Sequence, residues 1–135
     1  EIKSIIIRYK RAIALMICSR IVKNFEAGNK PLNATEIANQ LDVPVRLARV
    51  IINELTETKV LSEVTTAKDK EIAYQPGISD SKLTIKFIIN RLDEKGVNEL
   101  PITDTKELET INRLLIDLDN LMSEEKGNVL VKDIA

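Results

Sequence analysis

The first quarter of the chain has apolar residues that recur every three to four positions. Between residues 2 and 26 these are Ile2, Ile5, Ile6, Tyr9, Ile13, Met16, Ile17, Ile21 and Phe25. The spacing is close to the 3.6-residue period of an α-helix, so it predicts one long helix with a continuous apolar face. Gly28 is placed to end that helix. We therefore assign residues 1–28 to a leading helix.

Two shorter helices with a tight turn between them are predicted next. Asn33 is a favourable N-cap, and Glu36 completes a capping box for the segment ATEIANQL. A turn at residues 42–43 follows. Pro44 suits the first position of a third helix, which we expect to reach about Thr58. This arrangement is typical of a helix-turn-helix.

The apolar period then changes from helical spacing to strand-like alternation. In KVLSEVTTAKDKEIAYQPG, β-branched residues flank a polar tip, AKDKE, and the segment stops at a Pro-Gly pair. This pattern predicts a β-hairpin with a charged turn. A helix, a helix-turn-helix and a hairpin in that order make a winged helix-turn-helix, here over residues 33–76.

Two C-terminal helices complete the expected architecture. The first spans residues 80–96, with N-cap candidates among residues 79–81, and buries Leu83, Phe87, Ile88 and Leu92. The second spans residues 103–127 with Thr103 or Asp104 as its cap, and a tail occupies residues 128–135. We expect a single domain over residues 1–135, mainly α with a small β-hairpin.

Composition excludes several kinds of chemistry. The 135 residues include no histidine and one cysteine, Cys18, so neither a conventional zinc site nor a Ser-His-Asp triad can form within this chain. Cys18 lies in the apolar run AIALMIC and is best explained as a small buried side chain. Asp117 and Asp119 are two residues apart and do not share a helix face. The sequence predicts no enzyme, metal or cofactor site.

The third helix has two chemically different sides. We expect its inward side to comprise Leu47, Ala48, Ile51, Ile52 and Leu55. The outward side carries Arg46, Arg49, Val50, Asn53 and Glu57. In a major groove, arginine can bind guanine and asparagine can bind adenine, while Lys68 or Lys70 at the wing tip can contact phosphate.

Charge argues against that interpretation. Glu54 and Glu57 offset the two arginines, and acidic neighbours offset the wing lysines. Affinity for DNA comes largely from cancelling phosphate charge, so nucleic-acid binding is weakly supported by the sequence. A protein-contact surface is the alternative for this face.

The leading helix is basic although the whole chain is not. Residues 1–23 balance to +5 within a net charge of −1. The possible membrane-proximal face comprises Lys3, Arg8, Lys10 and Arg11. Such a cluster either contacts an anionic surface or faces water.

The last helix contains a short heptad seam. It comprises Leu108, Ile111, Leu115, Leu118 and Met122. A seam with this 3-4 spacing either pairs two copies of the chain or docks on the same chain's winged helix.

Two family resemblances follow from these segments. The order ATEIANQLDVPVRLARVIINELTETKVL, AYQPG and LTIKFIINRL resembles winged-helix regulators of the Rrf2 type. The longer run from RYKRAIALMICSRIVKNFEAGNKP through the helix-turn-helix resembles the C-terminal region of YihY/BrkB bacterial inner-membrane proteins, over most of residues 8–95.

The second resemblance implies a domain on the cytoplasmic side of the inner membrane. The absent start methionine and the basic leading helix agree with a missing N-terminal membrane region. That family has carried a ribonuclease BN label, but no residue here supports catalysis. The leading hypothesis is a non-catalytic module for protein interaction or regulation, with an unknown partner or a second copy. The alternative is a DNA-binding transcription regulator of Rrf2-like build.

Overall fold

A computed structural model describes residues 7–65, 70–94 and 103–135. The helices are α1 (Ile7–Glu26), α2 (Ala34–Leu41), α3 (Val45–Glu57), α4 (Ile85–Asp93) and α5 (Lys106–Glu124), and the strands are β1 (Leu32–Asn33), β2 (Leu61–Thr65) and β3 (Ile72–Pro76). The predicted class, a mainly helical winged helix-turn-helix with a long first helix and two C-terminal helices, is confirmed.

The buried face of α1 differs from the predicted one. The buried residues are Ala14, Ile17, Cys18, Ser19, Ile21 and Val22. Tyr9 and Met16, which the periodicity placed on the same face, are 58% and 43% exposed. The cause is that the short side chains of Ala14 and Cys18, four residues apart, lie on the side where neighbouring elements approach. Phe25 lies in the last turn and is 52% exposed. The predicted start of this helix, at residues 2–6, lies outside the described residues.

The start of α2 is fixed as the sequence predicts. The Asn33 side chain accepts a hydrogen bond from the Glu36 N–H at 2.8 Å, and the Glu36 carboxylate accepts one from the Asn33 N–H at 2.9 Å. Asp42 ends the helix with a left-handed φ of 57°. Pro44 is the N-cap of α3 and not its first residue, a shift of one position from the expectation.

The wing belongs to a three-stranded antiparallel sheet, in the order β1-β3-β2. β2 and β3 form the predicted hairpin, in which Leu61 pairs with Pro76. β1 was not predicted, because two residues are too few to show strand periodicity. It pairs Leu32 with Tyr74 and so joins the start of α2 to the wing.

Both C-terminal helices begin later than expected. A 3-10 turn at Asp80–Lys82 precedes α4, and Thr84 caps that helix by accepting from the Phe87 N–H at 3.1 Å. Thr105, and neither of the predicted residues, caps α5. Hydroxyl residues are frequent in both connectors, so sequence alone does not show which one adopts the cap geometry.

The tail after α5 returns to the body of the protein. Val131 is fully buried, and its N–H donates to the Leu83 carbonyl at 2.9 Å. Asn128 accepts from the Lys86 N–H at 2.7 Å through its side chain. These bonds fasten the C-terminal end of α5 to the first turn of α4.

Candidate nucleic-acid interface and an exposed helix face

The α3 helix presents a polar face to solvent because its other side is in the core. Ala48, Ile51, Ile52 and Leu55 are buried, while Leu47 is half-buried. The five residues of the outward face are all exposed: Arg46, Arg49, Val50, Asn53 and Glu57. We call these five residues the α3 face. Val50 is the one apolar side chain of the α3 face; the other four residues are polar or charged.

The two arginines of the α3 face have different surroundings. Arg49 donates to the Thr35 hydroxyl at 3.3 Å. It also lies close enough to Tyr74 to oppose, by its positive charge, the rise in that phenol's pKa, which burial causes first and Glu63 increases. Arg46 has no hydrogen bond or ion pair with any residue that the structure describes.

Arg49 therefore lines a cleft between the start of α2, α3 and the wing. The cleft has a volume of about 350 Å³, and Lys70 lies on its other side. Lys70 is exposed and has a left-handed φ of 52°. Glu71 also lines the cleft, but Asn33 donates to its carboxylate at 3.2 Å. Lys68, the other predicted wing residue, lies outside the described residues.

The charge argument from the sequence is partly wrong. Glu54 does not offset the arginines of the α3 face, because it forms an ion pair with Lys10 of α1 at 2.5 Å. The Glu54 side chain is only 12% exposed, so it faces α1 and not solvent. Glu57 remains the acidic member of the α3 face. The outward side of α3 is consequently more basic than its sequence indicates.

Two residues of the predicted basic face of the leading helix are paired with carboxylates. Lys10 pairs with Glu54, and Arg11 pairs with Asp93 of α4 at 2.8 Å. Arg8 is exposed and lies 5.9 Å from the centre of the Tyr9 ring. Lys3 lies outside the described residues. The charges at positions 10 and 11 thus join α1 to α3 and α4.

No helix within residues 7–65, 70–94 and 103–135 has both the length and the apolarity needed to cross a membrane.

Four of the five predicted seam residues of α5 are exposed: Ile111, Leu115, Leu118 and Met122. No residue of α5 is buried. Its large apolar side chains are between 46% and 64% exposed: Ile111, Leu114, Leu115, Ile116, Leu118, Leu121 and Met122. Leu108, Thr110 and Asp119 are half-buried, and Asp119 pairs with Lys86 of α4 at 3.0 Å. The α5 helix therefore contacts α4 along one edge, and the rest of its apolar face lies open.

The described residues contain no group of three metal-ligating side chains. Cys18 is fully buried, and burial raises the pKa of its thiol to about 12. A thiol of that pKa stays protonated at neutral pH and is a poor nucleophile. The sequence-based interpretation of Cys18 as a small core side chain is confirmed.

Solved structures with the same fold include two that are named as regulators. CymR, the global cysteine regulator of B. subtilis, has 18% identity and a TM-score of 0.62, with 96% of this chain and 95% of that chain covered. A putative transcriptional regulator from Listeria innocua has 17% identity and a TM-score of 0.60, with 93% and 82% covered. IscR of T. potens has 14% identity and a TM-score of 0.56, with 94% and 93% covered.

No protein-family model matches the sequence, and the comparison with curated proteins finds no relative. At such identities the structural likeness establishes the fold. It agrees with the resemblance to Rrf2-type winged-helix regulators noted in the sequence. Attachment to a YihY/BrkB-like membrane protein receives no support from it.

Proposed function

We propose that this chain is a DNA-binding transcription regulator that acts as a homodimer. The observation that carries the proposal is the α3 face, whose Arg46, Val50 and Asn53 are exposed while Glu54 is withdrawn into an ion pair with Lys10. The shared fold with proteins named as regulators supports it.

The side chains of the interface divide into two roles. Arg46, Val50 and Asn53 suit contact with base edges, where arginine pairs with guanine, asparagine with adenine, and an apolar side chain with the thymine methyl group. Arg49 and Lys70 line the cleft between α2 and the wing, so they suit contact with a backbone phosphate. Phosphate contacts position a protein on DNA, whereas base contacts select the sequence.

The open face of α5 supports pairing of two copies. Seven large apolar side chains at least 46% exposed on one helix are unusual for a protein that stays monomeric. Regulators with a helix-turn-helix read two half-sites about 34 Å apart, which requires a second copy of the reading helix. A dimer through α5 supplies that copy and covers the apolar residues at once.

Selection from a random duplex pool, followed by binding measurements over a salt series, tests the DNA assignment. Arg46→Ala is expected to relax the preference at one base position by about 1–3 kcal/mol. Arg49→Ala is expected to lower the affinity for every duplex by a similar factor. It should also reduce the slope of log affinity against log salt concentration by about one unit per half-site. Lys82→Ala, a cation outside the helix-turn-helix and the wing, is the matched control. Failure of the wild-type chain to bind any duplex at about 50 mM salt contradicts the proposal.

Sedimentation equilibrium tests the pairing. Leu115→Glu places a charge at the centre of the open face and is expected to give a monomer that keeps its helical circular dichroism. Asn120→Glu, on the opposite side of α5, is the control and should leave the dimer intact. A wild-type chain that is monomeric at high micromolar concentration contradicts the homodimer, while DNA binding by the monomer would still be measurable in the first experiment.

A further inference from the structure

A second groove lies along the side of α1 opposite most of its buried residues, and its lining includes no described residue of the wing. It follows one stripe of that helix and is closed by the end of α2 and the last residues of the tail. Its lining comprises Ala12, Leu15, Met16, Ser19, Arg20, Lys23, Leu41, Ile134 and Ala135, and its volume is about 290 Å³. Eleven residues separate the first and last α1 positions, so the groove runs for about 16 Å along the helix.

The two ends of the groove differ in chemistry. Ala12, Leu15 and Met16 form an apolar end, and Leu41 of α2 extends it. Arg20 and Lys23 form a cationic end one to two helical turns further along α1. A groove with this polarity complements a molecule that has an apolar body and one negatively charged head.

The cations of this groove lack the acidic partners that two other α1 cations, Lys10 and Arg11, have. Arg20 instead donates to the Gln40 side-chain oxygen at 3.0 Å, and Lys23 donates to the Ile134 carbonyl. No carboxylate of the described residues forms an ion pair with Arg20 or Lys23.

Ser19 supplies an independent observation between the two ends. The residue is only 8% exposed and lines the groove. Its hydroxyl has no hydrogen bond with any other residue in the described ranges, although a helical serine can bond the carbonyl four residues earlier. The Ser19 oxygen is not among the fully buried side-chain atoms of the described residues that lack a partner, so the hydroxyl is open to the groove. A ligand head group in the groove would satisfy this hydroxyl.

We propose that this groove binds a small amphipathic carboxylate. The aliphatic part lies over Ala12, Leu15 and Met16, and the carboxylate accepts hydrogen bonds from Ser19, Arg20 and Lys23. The groove touches both α2 and the tail that follows α5, so an occupant contacts the helix-turn-helix and the segment that anchors the dimerisation helix. Any effect on DNA affinity rests on the proposed function, whereas ligand binding itself does not.

Isothermal titration calorimetry with octanoate tests the site in the absence of DNA. Wild-type chain is expected to bind octanoate, while acetate and octyltrimethylammonium, which lack the apolar body or the negative charge, bind at least tenfold more weakly. Arg20→Gln is expected to weaken octanoate binding about tenfold, because a hydrogen bond to a charged group is lost. Arg8→Gln, an exposed arginine of the same helix outside the groove, is the control and should bind like wild type.

Ala12→Leu fills the apolar end from an exposed position, so it should block octanoate without unfolding the chain. The proposal is overturned if wild-type chain does not bind octanoate at millimolar concentration. It is overturned equally if Arg20→Gln and Ala12→Leu bind as wild type does. If Ala12→Leu instead shifts the sedimentation of the chain, the groove is a contact between copies and not a ligand site.

Discussion

The tail after α5 should contribute measurably to the stability of the winged helix. Val131 is fully buried in the core cluster, although it follows the last long helix of the chain. Val131→Ala removes two buried methyl groups, each worth about 0.8 kcal/mol, and leaves a small cavity. We therefore expect the free energy of unfolding to fall by roughly 2 kcal/mol. For a chain of this size the midpoint of thermal unfolding should fall by about 8 °C.

Urea unfolding followed by circular dichroism at fixed protein concentration measures this change. Val129→Ala is the matched control, because Val129 lies in the same tail but is 37% exposed. We expect the control to differ from wild type by about 0.5 kcal/mol or less. Equal free energies of unfolding for Val131→Ala and wild type would refute the argument that the tail is part of the core.

Two further predictions concern Cys18 and Gly77. Iodoacetamide should fail to modify Cys18 in the folded chain at pH 8. Because only the unfolded thiol ionises between pH 9.0 and about 12, the free energy of unfolding should fall in that range by up to about 1.4 kcal/mol per pH unit more than in Cys18→Ala. Equal slopes for the two chains would contradict the burial argument. Gly77→Ala places a Cβ 2.4 Å from the Lys59 carbonyl oxygen and should destabilise the chain by about 3 kcal/mol in the same urea assay. Gly127→Ala, where an added Cβ meets nothing within 4 Å, is its control, and similar losses at both glycines would refute the steric reasoning.

The parts of the fold with a strong local signal could be predicted from the sequence. The capping box of Asn33 and Glu36 acts between neighbours, so its residues alone identify the start of α2. The inward side of α3 is likewise evident, since Ile51, Ile52 and Leu55 recur at helical spacing. In α1 the same reasoning failed for Tyr9 and Met16. Apolar side chains occur on every side of this helix, so only tertiary packing determines which side is buried.

Long-range partners account for the rest. Lys10 and Glu54 are far apart in sequence, so nothing in either segment shows that they form an ion pair and change the charge of the α3 face. The strand at Leu32–Asn33 exists only because β3 lies beside it. The sequence could not show that the Ser19 hydroxyl makes no hydrogen bond to another described residue, because serine is common in helices.

The short strand β1 limits how far the wing can move relative to the helix-turn-helix, the two parts proposed to contact DNA. Asn33 caps α2, pairs with Ala73 of the wing sheet and holds the carboxylate of Glu71. Leu32 and Asn33 together join the wing sheet to the start of α2 in the free chain. If the two parts bind DNA as proposed, they lose little orientational entropy on association, and this preorganisation offsets the limited number of cations in the proposed interface. Asn33→Ala is therefore expected to weaken the proposed DNA binding by loosening the wing against α2, which the same duplex titrations would measure.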